Sequence, residues 1–61
     1  MEEEIVEGDI VQILVNSYTV FGGQSGFVIN KSGEWFLIEL AEIISWFHEE
    51  EIRNITVRYG G

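Results

Sequence analysis

Apolar side chains recur at every second position in several short segments of the chain. In "GDIVQILV" the residues Val11, Ile13 and Val15 share one face, which is typical of a β-strand. Four later segments are also rich in β-branched and aromatic residues: "GFVIN", "EWFLIEL", "AEIISWF" and "IRNITV". The pattern therefore predicts five short strands.

Turn-forming residues separate these segments and divide the chain. "NSYTVFGGQS" reads as the first loop, "NKSG" as a hairpin turn and "HEEE" as a short turn before the last strand. Residues 1–7 carry four glutamates, which predicts an acidic N-terminal tail. We assign residues 8–58 to one barrel domain and residues 59–61 to a flexible C-terminal tail.

A helix across residues 36–48 is the alternative to strands three and four. Leu37, Leu40 and Ile44 fall at helical spacing, and leucine, alanine and glutamate are good helix formers. That helix would be apolar almost all round, because Phe36 and Trp46 lie outside this stripe, and so small a domain could not bury it. The sequence favours strands, which a barrel would close without free edges.

Three glycines in "GGQSG" raise the possibility of a ligand loop. A phosphate-binding loop needs a lysine and a following helix, and here Gly26 is followed by Phe27 and a predicted strand. We expect Gly22 and Gly23 to permit a reversal of the chain, and Gly26 to permit a close backbone approach at a corner.

Net charge is the most unusual property of the composition. Eleven acidic residues against three basic ones give −8 in 61 residues, which disfavours binding to nucleic acid and favours a basic protein partner. The chain has no cysteine, no apolar run of about 18 residues and no basic leader. We therefore expect a cytoplasmic protein that is not inserted in a membrane.

Catalytic and metal-binding patterns are weak. His48 is the sole histidine, and neither a second histidine nor a cysteine is present to complete a metal site or to serve a nucleophilic serine. Pairs such as Glu39 and Glu42 have nothing nearby to make one differ from the other. We predict no enzyme, no cofactor and no metal.

Four segments in order resemble the prokaryotic SH3-like small barrels, which include KOW-type domains and short bacterial or phage proteins. They are "GDIVQI", "GGQSGFVI", "GEWFLIEL" and "SWFHEEEI", which together span most of the chain. The resemblance implies an all-β fold, a five-stranded SH3-like small barrel. It implies little about function, because this barrel has many roles.

Aromatic and apolar residues outside the predicted core are candidates for a protein-binding site. Tyr18 and Phe21 in the first loop and Trp35 at the start of strand three lie where SH3-like barrels often have an aromatic groove. Strands one and three also carry apolar residues on both faces, which adds Leu37 and, in strand four, Trp46. We predict a small acidic interaction module or accessory subunit that binds another protein or a second copy of itself.

Two alternatives remain open. In one, the chain is an acidic inhibitor that imitates nucleic acid, with carboxylates regularly spaced on one face. In the other, it is a ubiquitin-like carrier that uses the terminal Gly60 and Gly61, which requires a helix across residues 36–48.

Overall fold

The computed structural model describes residues 4–15 and 20–57, which contain one antiparallel sheet of five strands. The strands are β1 (Ile10–Ile13), β2 (Ser25–Ser32), β3 (Trp35–Glu39), β4 (Ile44–His48) and β5 (Ile52–Asn54), and a 3₁₀ helix (Glu49–Glu51) joins the last two. Their order across the sheet is β4-β3-β2-β1-β5, so within the described residues β4 and β5 are edge strands, and the expected closure without free edges is wrong. The predicted all-β class is confirmed.

Short connections explain why neighbouring strands pair. Gly33 adopts φ +60° in the β2–β3 turn, a conformation that suits glycine in tight hairpins. In the β3–β4 connection the Leu40 N–H donates to the Ile43 carbonyl at 2.8 Å. Because β5 returns to pair with β1, the first and last strands are neighbours.

The core consists of inward-facing residues from all five strands, together with the residue that follows β3. Its members are Val11, Ile13, Val28, Phe36, Ile38, Leu40, Phe47 and Ile52. The period-two pattern placed Val15 on the same face as Val11 and Ile13, and this is wrong, since Val15 is 83% exposed whereas the other two are buried. β1 ends at Ile13 and the chain turns at Val15, so the period-two alternation does not continue that far.

A β-bulge interrupts the pairing of β2 with β3. The register shifts between Val28 and Asn30, which adds one residue to β2 at Ile29. Val28 is buried, Ile29 and Asn30 are both exposed, and Lys31 then lies opposite the buried Phe36. The bulge therefore reverses which face the later residues of β2 occupy.

Gly26 lies where β2 closely approaches the end of β3. A Cβ added there would collide with the Glu39 carbonyl oxygen and would lie 2.8 Å from Leu40 Cδ2. Its φ is not positive, so glycine is needed here for space and not for backbone conformation. The expected close backbone approach at this position is confirmed.

Asp9 links the segment that precedes β1 to β5 through hydrogen bonds. Its buried carboxylate oxygen Oδ2 accepts hydrogen bonds from the Val6 N–H at 3.1 Å and from Asn54 Nδ2 at 3.0 Å. Upstream of it, Ile5 packs against the core and Glu4 pairs with Lys31 at 3.3 Å. The division of the chain at residues 8 and 58 stays a prediction.

The structure rejects the helical alternative. Residues 36–48 contain most of β3 and β4, so the helix that a ubiquitin-like carrier requires is absent from them. That alternative is wrong on its fold, and Gly60 and Gly61 lie outside the described residues. Across the part of the chain that is described, no helix is long and apolar enough to cross a membrane.

Candidate protein-binding face

The candidate site is the surface of β2, β3 and β4 that points away from the core; we call it the outer face. Because side chains alternate along a strand, Trp35 and Leu37 leave β3 opposite to Phe36 and Ile38. The register places Trp46 of β4 directly across from Leu37. These two residues, predicted separately from the sequence, therefore form a cross-strand pair.

Large apolar side chains on the outer face are well exposed. Trp35 is 48% exposed, Trp46 is 44%, Phe27 is 53% and Ile44 is 55%. Leu37 is half-buried between its neighbours. Several exposed large apolar residues on one sheet surface are unusual for a small monomeric domain and are typical of an interaction surface.

The sequence missed three members of this face: Phe27, Ile29 and Ile44. Phe27 lies between Ile10 of β1 and Glu39 of β3, and Ile44 lies on the other side of Glu39. The alternation in "GFVIN" contained the signal for Phe27 and Ile29, since both flank the core residue Val28. The signal for Ile44 was the strand pairing, which the sequence does not reveal.

The two loop aromatics do not join the outer face. Phe21 is half-buried and packs against the core, with its ring edge-to-face on Phe47 at 6.4 Å between centroids. Phe47 is inward-facing, so Phe21 lies on the opposite side of β4 from Trp46. Tyr18 lies outside the described residues. A protein-binding role for any of the five predicted residues stays a prediction.

His48 connects the end of β4 to two turns. Its ring nitrogen Nδ1 accepts from the Glu50 N–H at 3.2 Å, and Nε2 lies 3.0 Å from Glu34 Oε2. A carboxylate oxygen only accepts, so Nε2 donates to Glu34 while Nδ1 accepts from the backbone, and the ring bridges the two turns. The ring also packs edge-to-face on Trp35, which orients that tryptophan on the outer face.

Carboxylates surround the exposed apolar residues. Glu39 lies on the outer face itself, Glu42 precedes β4, and Glu34, Glu49 and Glu50 lie near its other end; all are exposed. Within the described part of β2, β3 and β4, no lysine or arginine points to this face. The outer face is therefore apolar with an acidic rim.

A separate open cleft of about 830 Å³ lies near the 3₁₀ helix and β5. Lys31 and Arg53 line it together with Glu4, Glu49 and Glu50, so it holds charges of both signs. Of the predicted site residues that the structure describes, Phe21, Trp35, Leu37 and Trp46, none lines it. Among the described residues, no group of three or more histidine, cysteine, aspartate or glutamate side chains is placed to hold a metal ion.

Comparison with solved structures identifies the fold. The chain aligns with one chain of the "Crystal Structure of MjSpt4:Spt5 complex conformation B" with a TM-score of 0.77 over 98% of its own length. The chain has the SH3-like small β fold. At 23% identity, and covering 43% of the other chain, the likeness shows the SH3-like fold alone. No family model and no curated protein matches the sequence.

Proposed function

We propose that this SH3-like chain is a protein-interaction module or accessory subunit that binds another protein through its outer face. The observation that carries the proposal is the exposure of Trp35 and Trp46 beside Leu37 on one sheet surface. Tryptophan is enriched among the residues that dominate binding energy at protein interfaces. The similar solved structure is that of a complex of proteins, which agrees with this function. We also propose a cytoplasmic location.

Charge indicates the kind of partner. At −8 the chain repels phosphate backbones and other acidic surfaces and attracts basic ones. The acidic inhibitor is the less favoured alternative, because the carboxylates lie mainly at the strand ends and are separated by the apolar residues, instead of forming a row like phosphates.

Photo-cross-linking from a single position tests the proposal. A photoreactive phenylalanine analogue replaces Leu37 on the outer face, and a control protein carries it at Gln24, which is exposed outside this face. In lysate of the native host we expect a discrete adduct from position 37, reduced by Trp46→Ala, and none from position 24. An adduct of twice the 7.0 kDa chain mass would identify a second copy as the partner. Equal labelling from both positions would contradict the proposal.

A further inference from the structure

β4 is an edge strand whose outward backbone groups can be assigned from the pairing. The Leu40 N–H bonds to the Ile43 carbonyl and the Glu49 N–H bonds to the Glu34 carbonyl, so these are hydrogen-bonded pairs of the β3–β4 ladder. Such pairs alternate in an antiparallel ladder, which makes Ser45 and Phe47 the residues of β4 that bond to β3. The N–H and C=O groups of Ile44 and Trp46 therefore point away from the sheet.

These outward groups are available in the described part of the chain. Within residues 4–15 and 20–57, no hydrogen bond outside the ladder involves the backbone of Ile44 or Trp46. The next outward N–H, that of His48, is already bonded to Glu51 Oε1 at 3.1 Å. The open edge thus spans the first three residues of β4, and Ile44 and Trp46 also project their side chains onto the outer face.

We propose that β4 binds its partner by strand addition, and that the added strand is a short extended segment with alternating apolar residues and basic residues at its ends. This inference rests on the proposed function and specifies its mode. Backbone bonds at Ile44 and Trp46 would align the segment, whose apolar side chains would extend the outer face.

Charge selects the basic segment over a second copy. β4 is preceded by Glu42 and followed by Glu49 and Glu50, while Glu39 lies beside Ile44 on the outer face. Pairing two β4 edges would bring together two chains of −8 each, whereas lysine or arginine at the ends of a segment would face these carboxylates. Binding should therefore weaken as salt is added.

The probe is a displayed library of random nonapeptides, selected against the parent protein. We expect the enriched peptides to alternate apolar residues between basic ends. Their affinity is then measured for Ile44→Ala and Ile44→Pro, which both remove the isoleucine, while the proline also removes the outward N–H. Proline is tolerated at the first residue of an edge strand. We expect Ile44→Pro to bind about three- to tenfold more weakly than Ile44→Ala, the effect of one backbone hydrogen bond.

Hydrogen exchange supplies a readout that needs no variant. In the complex the amides of Ile44 and Trp46 should become protected, whereas those of Ser45 and Phe47 should be protected already in the free protein. The contrary result is a selected peptide that loses affinity on Trp46→Ala yet protects neither amide and binds both Ile44 variants equally. That result would overturn strand addition but would leave the proposed function intact. Failure to select any peptide whose binding depends on Trp46 would overturn strand addition, whereas the proposed function would fall only if position 37 also gave no specific cross-link. If the parent protein forms a dimer that Ile44→Pro abolishes, a second copy occupies the edge of β4. That result would overturn the proposal that a basic segment binds there.

Discussion

Gly26→Ala should destabilise the domain although it adds a single methyl group. The new Cβ would collide with the Glu39 carbonyl and approach Leu40 Cδ2 to 2.8 Å. The leucine can change rotamer, but the carbonyl belongs to the backbone of β3, so β2 and β3 must separate locally. Overpacking of this kind costs about 1–3 kcal/mol. A domain of 61 residues has a free energy of unfolding of roughly 3–9 kcal/mol, so the loss is a large fraction.

Thermal and urea denaturation measure this loss. For a domain of this size, 2 kcal/mol corresponds to a decrease in Tm of roughly 8–16 °C. Ser25→Ala is the matched control, because Ser25 is the exposed neighbour of Gly26 in β2. Gly33→Ala is a second control: nothing lies within 4 Å of its added Cβ, so only its φ of +60° is unfavourable, at a cost of about 1 kcal/mol.

The order of the three variants is the critical result. We expect Gly26→Ala to be the least stable, Gly33→Ala to be intermediate and Ser25→Ala to be close to the parent. If Gly26→Ala melts within about 2 °C of the parent, its free energy of unfolding has fallen by less than about 1 kcal/mol. The strands would then not approach each other this closely, and the argument would fail.

Three other outcomes are expected. Asp9→Ala should lower the free energy of unfolding by about 1–3 kcal/mol, because the Val6 N–H and Asn54 Nδ2 lose their acceptor; a urea midpoint equal to that of Asp9→Asn would contradict this. Trp35→Ala should keep the fold and lower the free energy of unfolding by less than about 1 kcal/mol, through loss of the contact with His48. Unfolding of this variant would show that the Trp35 ring belongs to the core. Fluorescence anisotropy should detect no binding to duplex DNA at physiological salt, and salt-sensitive binding would refute the charge argument.

Local sequence patterns predicted the strands well, because the alternation of side chains along a strand depends on residues that are close together in the sequence. The alternation in "EWFLIEL" separates Phe36 and Ile38 from Trp35 and Leu37, and β3 follows it. The period-two pattern failed at Val15, where a turn ends β1. Alternation of apolar and polar residues does not specify where a turn ends a strand.

The candidate site could be predicted only in part. Exposure of Trp35 and Trp46 follows from alternation once the strands are known, but their common surface depends on the β3–β4 register. Phe21 shows the limit of reasoning by residue type: an aromatic side chain in a loop can fill the core as readily as a groove, and here it packs on Phe47. The open edge of β4 depends on the strand order, which no local pattern specifies.

The bulge at Ile29 determines on which side of the sheet the positive charge of Lys31 lies. With regular pairing, the alternation that buries Gly26 and Val28 would turn Asn30 inward and send Lys31 to the outer face. The extra residue instead places the lysine amine 5.6 Å from the centroid of the Phe36 ring. A single-residue insertion or deletion in β2 could thus give the outer face a cation without changing any residue type. Under the proposed function, the choice of partner by this chain would therefore depend on strand register as well as on residue type.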